Sequence, residues 1–277
     1  MIIWLDGGLQ PLDEARISPL DRGLTVGDGV FETLRVYNGV PFAWTRHDTR
    51  LRISAAGLRL AVIDSETLRS GADAVLQAND LLDARLRITV TGGEGPPGSS
   101  RAGAVPRTMI VAVPFTALAP TTSVVVAPWT RNENSATAGL KTLSYAANVR
   151  ALAYAEERGA TEALFANTQG NLCEATGSNV FAVINDVLVT PPASAGCLLG
   201  VTRGLILELA IDLGIAHREH DIAMETITTA SEIFLSSTTR EVQQVVQIDG
   251  EPTHHTTHSG GQLAAAYTAL VARTLDP

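Results

Sequence analysis

Hydrophobic and polar positions divide this chain into short strands and amphipathic helices. Met1–Asp6 and Phe31–Tyr37 read as strands. An Asn38-Gly39 turn then leads into a second strand of a hairpin, Val40–Trp44. Thr45–Leu60 has a helical period, with Leu51, Ile53, Ala56 and Leu58 among its apolar positions. Ser65–Asn79 sets Leu68, Ala72, Val75 and Leu76 on one side of another helix. Arg85–Thr91 alternates as a strand does, Thr91–Ser100 is a Gly/Pro loop, and Thr108–Pro114 is an apolar strand.

Phe115–Thr122 interrupts the pattern and predicts an interdomain linker, with domains over 1–114 and 123–277. The second half opens with a strand, Ser123–Ala127. The clearest helix follows, Leu143–Arg158, with Tyr145, Val149, Leu152 and Ala153 on a face and Gly159 at its end. Short strands come next at Glu162–Ala166, Leu172–Glu174, Asn179–Ile184 and Val187–Thr190. Val201–Leu213 is a helix between Gly200 and Gly214. Glu232–Ser236 and Glu241–Ile248 are strands, and Gly261–Leu275 closes the chain as a helix. Strands and helices do not alternate regularly, which disfavours a doubly wound sheet and predicts two α+β domains.

Composition narrows the function. The 277 residues carry a net charge of −9, a poor balance for nonspecific nucleic-acid binding. No apolar run approaches the roughly 20 residues of a membrane span, and the first residues have no basic segment typical of a secretory signal. A soluble cytoplasmic protein is expected. Two cysteines, Cys173 and Cys197, make neither a disulfide framework nor a zinc quartet and read as packing residues. Of 20 basic side chains, only Lys141 is a lysine. A GC-rich genome accounts for the scarcity of lysine but not for the one that survives. A lysine amine can lose its proton and attack a carbonyl, which a guanidinium cannot do.

Lys141 lies just before the long helix. If that helix starts near Lys141, Tyr145 and Asn148 share its side, a phenol and an amide near an amine. An exposed lysine at an ordinary helix start fits the spacing as well. Glu174 stands between an apolar strand and a small-residue turn. It either pairs with a cation, such as a protonated ring nitrogen, or caps Thr176 or Gly177. Gly200-Val201-Thr202-Arg203 opens a helix, where free N–H groups attract an anion. Ser236-Ser237-Thr238-Thr239 is a second hydroxyl-rich turn. With an arginine the two could hold one phosphate, although spacing does not single out Arg50. His254, His255 and His258 lie in a polar turn without neighbouring cysteines, so no metal site is expected. Gly92–Gly95 lacks the strand–helix context of a phosphate loop.

Six runs in order resemble the class IV aminotransferase family, the fold-type IV pyridoxal-phosphate enzymes. They are Gly27–Arg35, His47–Leu51, Lys141–Asn148, Glu174–Phe181 with Thr190-Pro191-Pro192, Gly200–Arg203 and Leu235–Val242. The family includes branched-chain, D-amino acid and R-amine transaminases and 4-amino-4-deoxychorismate lyases. The resemblance implies a small N-terminal α/β domain, a larger C-terminal domain with a barrel-like sheet, pyridoxal 5'-phosphate between them, and a homodimer. It implies that Lys141 forms the Schiff base and shuttles the proton, and that Glu174 pairs with the pyridine nitrogen. Tyr145 would lie near the phenolic oxygen, and Arg50, Val201, Thr202 and Thr238 would hold the phosphate. Thr238 and Thr239 would meet the substrate carboxylate, with Thr33 near the cofactor face and Arg240 near that carboxylate.

The resemblance divides between two activities. Branched-chain enzymes usually have Gly at the position of Thr33 and tyrosine at that of Ala146. The Arg-x-His clamp of D-amino acid enzymes is missing from Gly92–Ser100. Transamination between an amino acid or amine and a 2-oxo acid is the expected activity. Pyruvate elimination from 4-amino-4-deoxychorismate is the alternative, and a non-catalytic binder of a phosphorylated ligand is the third.

Overall fold

The computed structural model describes residues 1–253 and 258–277. His254 and His255 lie outside these. The strands are β1 (Ile2–Leu5), β2 (Gly8–Pro11), β3 (Gly29–Tyr37), β4 (Val40–Pro41), β5 (Ala84–Thr91), β6 (Arg107–Pro114), β7 (Thr121–Val126), β8 (Glu162–Ala166), β9 (Leu172–Ala175), β10 (Asn179–Ile184), β11 (Val187–Thr190), β12 (His217–Glu219), β13 (Glu232–Ser237), β14 (Glu241–Ile248) and β15 (Glu251–Pro252). The α-helices are α1 (Arg22–Val26), α2 (Trp44–Gly57), α3 (Ser65–Ala78), α4 (Ala146–Glu156), α5 (Val201–Asp212) and α6 (His258–Arg273). The chain divides into two compact units. The first is Met1–Ala117 with Leu140–Tyr145 and Thr274–Pro277, and the second is Leu118–Gly139 with Ala146–Arg273.

In the first unit six strands pair in the order β2-β1-β6-β5-β3-β4. The two-residue period of β3 and β5 sorts their side chains. Val30, Leu34 and Val36, with Leu86, Ile88 and Val90, face α2 and α3 and join Leu51, Ala55, Leu68 and Val75 in the core. Phe31, Thr33, Arg85, Arg87 and Thr89 take the opposite face, with Thr33 directly across from Arg87. The inward side of α2 is His47, Leu51, Ser54 and Ala55, while Ile53, one of its apolar positions, is exposed. The Gly/Pro loop before β6 is organised by buried Arg22, whose Nη1 donates to Gly98 O at 2.9 Å and Ser100 O at 2.8 Å.

The second unit is built on a sheet ordered β12-β11-β10-β13-β14-β7-β8-β9, with β15 paired to β14. A tight turn at Thr176–Ser178 joins β9 to β10, which draws the last strand of the sheet beside a middle one and gives it a barrel-like curl. Val124, Leu164, Val180, Ala182, Leu235 and Val245 fill one core. Ala151 and Ala155 of α4 pack with Val125, Ala163 and Phe165. The buried positions of α4 are Asn148, Ala151 and Ala155, so Val149, expected on its packed face, is exposed. Small side chains let α4 lie close on β8, and they set its contact face instead of the larger apolar residues. Strand β7 already begins at Thr121, inside the segment expected to be linker.

Candidate active site

Lys141 is not helical, which corrects the expected helix start at Leu143: α4 begins only at Ala146. Residues 141–143 pair instead with the beginning of β3. Phe31 N–H donates to Lys141 O at 3.1 Å and Leu143 N–H to Gly29 O at 2.8 Å. Val30 and Thr142 form an antiparallel bridge, and Lys141 N–H donates to Ser54 Oγ at 3.1 Å. This close pairing needs glycine at position 29, where a Cβ would lie 2.5 Å from Leu143 Cδ1 and from Val90 O. These bonds tie the lysine segment to the first unit, although sequence order put it in the C-terminal domain.

Phe31 then gathers the chemistry that helical spacing was expected to gather. Lys141 Nζ lies 4.4 Å from its ring centroid. The Tyr145 ring meets it edge-on at 5.3 Å, and the Arg87 guanidinium carbon stands 3.8 Å from it. Arg87 also donates from Nε to Thr89 Oγ1 at 3.3 Å. Burial lowers the Arg87 pKa and the Arg85 charge adds to this, against Tyr145 and Glu32. A desolvated guanidinium with no ion-pair partner among the described residues has the chemistry to receive a carboxylate.

Glu32 breaks the alternation of β3, being in phase with Val30 and Leu34 and fully buried beneath α2. It is held by two residues one helical turn apart. Arg50 donates from Nε to Oε1 at 2.8 Å and from Nη2 to Oε2 at 2.8 Å. His47 Nδ1 lies 2.7 Å from Oε2. Burial alone pushes the Glu32 pKa up, but the charges and hydrogen bonds of Arg50 and His47 hold it well below the usual carboxylate range. For His47 burial is the largest effect and lowers the pKa. Glu32 opposes this, while Arg50 and Lys141 add to it. A neutral His47 donates from Nδ1 to Glu32.

In the second unit Glu174 lies on β9 with its Oε2 accepting Leu198 N–H at 3.0 Å. Arg131 Nη2 approaches Oε1 to 3.2 Å. Arg131 also donates to Asn148 Oδ1 at 3.2 Å and lies over the Phe165 ring, yet its Nε and Nη2 are buried without an aligned acceptor among the described residues. The turn-capping role that Glu174 could have played belongs to Glu162. Buried at the start of β8, Glu162 accepts from Thr176 Oγ1, Gly177 N–H at 3.1 Å, Ser178 Oγ at 2.9 Å and Arg240 Nε at 3.1 Å. Arg240 reaches the same carboxylate: its guanidinium donates to Glu162, Gln243 and Thr161 O and braces the β13–β14 turn.

That turn is Thr238-Thr239-Arg240, closed by a Ser237–Glu241 pair with Glu241 at φ +54°. Thr238 and Thr239 are half-buried, and the neighbouring Ser236 Oγ is buried without a partner among the described residues. Helix α5 starts at Val201 after Gly200, and no side chain caps it. A Cβ at Gly200 would lie 2.1 Å from Asn179 Oδ1, so any side chain there would displace the Asn179 amide. The uncapped N–H groups at Val201 and Thr202 and the helix dipole favour an anion. Arg203, the last residue of that run, is buried and bonded to Pro191 O at 2.9 Å and to Glu219 at 2.6 Å. Burial, then the charge of Glu174, pushes the Cys197 thiol up to about 11 and the Cys173 thiol still higher. Both are inert thiols packed in the fold.

The sequence profile of Amino-transferase class IV matches residues 29–248, most of the chain and nearly all of these groups. The chain belongs to the class IV aminotransferases. A Methanocaldococcus jannaschii protein provisionally named a branched-chain-amino-acid aminotransferase is 34% identical over 90% of this chain and 88% of its own length. A Bacillus licheniformis D-alanine aminotransferase is 31% identical over 91% and 89%. The crystal structure of a branched-chain aminotransferase from the archaeon Thermoproteus uzoniensis, solved with norvaline, is 30% identical. It superposes with a TM-score of 0.91, covering 98% of this chain and 94% of that one.

The class IV aminotransferases use pyridoxal 5'-phosphate, and similar solved structures hold its derivatives. The residues present suit that cofactor: one lysine and one phenol at an aromatic ring, a carboxylate on a strand, a helix start without a side-chain cap and a buried hydroxyl without a partner among the described residues. Sequence reasoning missed Phe31, Glu32, His47, Arg87, Arg131 and Glu162. A signal existed for Glu32, an acid in phase with an apolar stripe, and for Arg87, a cation on the other face of an alternating strand. Arg131 and Glu162 had none, because their partners lie about 40 and 80 residues away along the chain.

Proposed function

We propose that this class IV aminotransferase moves an amino group between an amino acid or amine donor and a 2-oxo acid, with Lys141 as the residue that binds the cofactor covalently. The observation that carries this is the placement of the chain's one lysine against the Phe31 ring, which Tyr145 and Arg87 also contact. When bound, pyridoxal phosphate supplies an aldehyde for amine exchange and an electron sink for the Cα–H bond. Lys141 Nζ would hold the cofactor and, when free, would serve as the base that accepts and returns the substrate proton. Tyr145 holds the cofactor's phenolic oxygen. Glu174, paired with Arg131, accepts a hydrogen bond from the protonated pyridine nitrogen. Arg50 with the backbone at Val201, Thr202 and Thr238 holds the phosphate. Thr238 and Thr239 offer backbone N–H groups to the substrate carboxylate, and Thr33 lies on the strand face that carries Phe31 and Arg87. Arg87 and Arg240 are the cations offered to that carboxylate, Arg240 from its place on Glu162.

We also infer a homodimer acting in the cytoplasm. Support comes from exposed Leu20, Leu24, Val26 and Val105 in the first unit and from two free cysteines. Borohydride reduction of the holoenzyme followed by peptide mapping should place the pyridoxyl label on Lys141, and Lys141→Ala should lose turnover by orders of magnitude. Label confined to the N-terminal amine overturns the assignment. Pyruvate release from aminodeoxychorismate that exceeds amino transfer to 2-oxo acids would select the lyase.

A further inference from the structure

We infer that Glu32 is a positioning residue for the cofactor phosphate, acting through Arg50. The inference rests on Arg50 being a phosphate ligand. Glu32 occupies a core position of β3 where its neighbours in phase are Val30 and Leu34, and an apolar side chain there would close the core. Burying a carboxylate is unfavourable unless it is paired and hydrogen-bonded. Here both oxygens are used. The Nε and Nη2 edge of Arg50 docks in parallel on Oε1 and Oε2, 2.8 Å each, and His47 adds a third bond to Oε2 at 2.7 Å.

A two-point contact on that edge fixes the plane of the guanidinium and stops rotation about its Cδ–Nε bond. His47 does this without adding charge, because its burial favours the neutral ring. The charged groups that face the pair from the packed elements are Arg50 and His47 on Glu32, and Glu32, Arg50 and Lys141 on His47. Helix α2 therefore presents two anchors from one face: Arg50, clamped by Glu32, and Ser54, which holds the backbone of Lys141. A single rigid helix sets both the arginine and the lysine, and Glu32 locks the more flexible of the two.

Positioning and simple electrostatics differ in sign. If Glu32 acted only as a negative charge near the phosphate, removing that charge would tighten the binding of a phosphorylated ligand. If it orients Arg50, removal weakens binding. The test titrates the full-length, cofactor-freed protein with pyridoxal 5'-phosphate and with pyridoxal, which lacks the phosphate. Glu32→Gln should lose tenfold or more in pyridoxal phosphate affinity while pyridoxal affinity stays within about twofold. Arg50→Gln should show the same selective loss, and the double variant should be no worse than Arg50→Gln alone. Glu32→Asp keeps the charge but shortens the reach, so it should fall between, and it serves if Glu32→Gln fails to fold. An unchanged or tightened phosphate preference in the folded Glu32 variants overturns the inference. An unchanged preference in Arg50→Gln would instead overturn the assignment of Arg50.

Discussion

Glu32, His47 and Arg50 show how a few side chains turn an apolar contact into a polar clamp. Their ionisation has a measurable consequence for stability. His47 titrates below its ordinary value of 6.5 in the folded protein, chiefly because it is buried. Below that value the unfolded chain binds the proton that the folded protein resists. The His47 contribution is therefore complete above about pH 7 and is lost as pH falls toward the folded pKa. The slope approaches about 1.4 kcal/mol per pH unit for one proton. Glu32 works in another window. Its pKa is depressed, so its contribution persists at all pH above its unfolded value of 4.5 and is lost only in more acid solution. Thermal unfolding of the wild type between pH 7 and pH 5 should show falling stability, and His47→Gln should flatten part of that slope. Parallel profiles for the two proteins would exclude His47 as the source.

Elements here are completed by residues far away in sequence. Helix α2 begins after Ala43, which takes the left-handed conformation at φ +52° and offers no capping side chain. The cap comes from the C-terminal segment of the same unit. Asp276 accepts Thr45 N–H at 2.9 Å and Thr45 Oγ1 at 2.6 Å, and Leu275 O accepts Ala43 N–H at 2.7 Å. An N-cap carboxylate contributes about 0.5–2 kcal/mol, and the exposure of this one argues for the lower half of that range. Asp276→Ala should therefore cost about 1 kcal/mol in urea unfolding, with no larger loss. A variant as stable as the wild type would mean that water satisfies the helix start equally well. In the second unit Glu162 plays a comparable part, tying the turn after β9 to the turn after β13. The turn at Thr238 thus inherits its geometry from a strand almost 80 residues earlier.

At the scale of the molecule, the path of the chain decides where the chemistry belongs. Leu140–Tyr145 leaves the second unit and pairs with β3, and the last four residues return to the first unit. The first unit also leaves large apolar side chains in solvent, Leu24 at 71% and Val105 at 77% exposure. These exposed side chains are the support for the proposed dimer. Light scattering on the purified protein should give twice the chain mass of 29.2 kDa. Substituting Leu24 and Val105 with aspartate should shift the species toward the monomer. A monomeric wild type would overturn the dimer.

The amino-acid sequence by itself determined the longer strand and helix segments, because their periods are local properties of the chain, but not the short β2, α1, β12 and β15. It also marked Lys141, since a sole lysine among arginines is visible without any structure, and motif order carried the family. The tertiary structure decided what those segments did with their side chains. The helix expected from Leu143 starts only at Ala146, because residues 141–143 pair with β3 in an extended edge. Backbone hydrogen bonds to a distant strand outweighed the local helical signal. That Arg240 also binds Glu162, on another strand, was visible only in the fold. Glu32, Arg131 and Glu162 acquired their roles only through partners brought near by folding. Local periodicity records which way a residue faces, whereas the pairing of buried charges depends on contacts that sequence separation conceals.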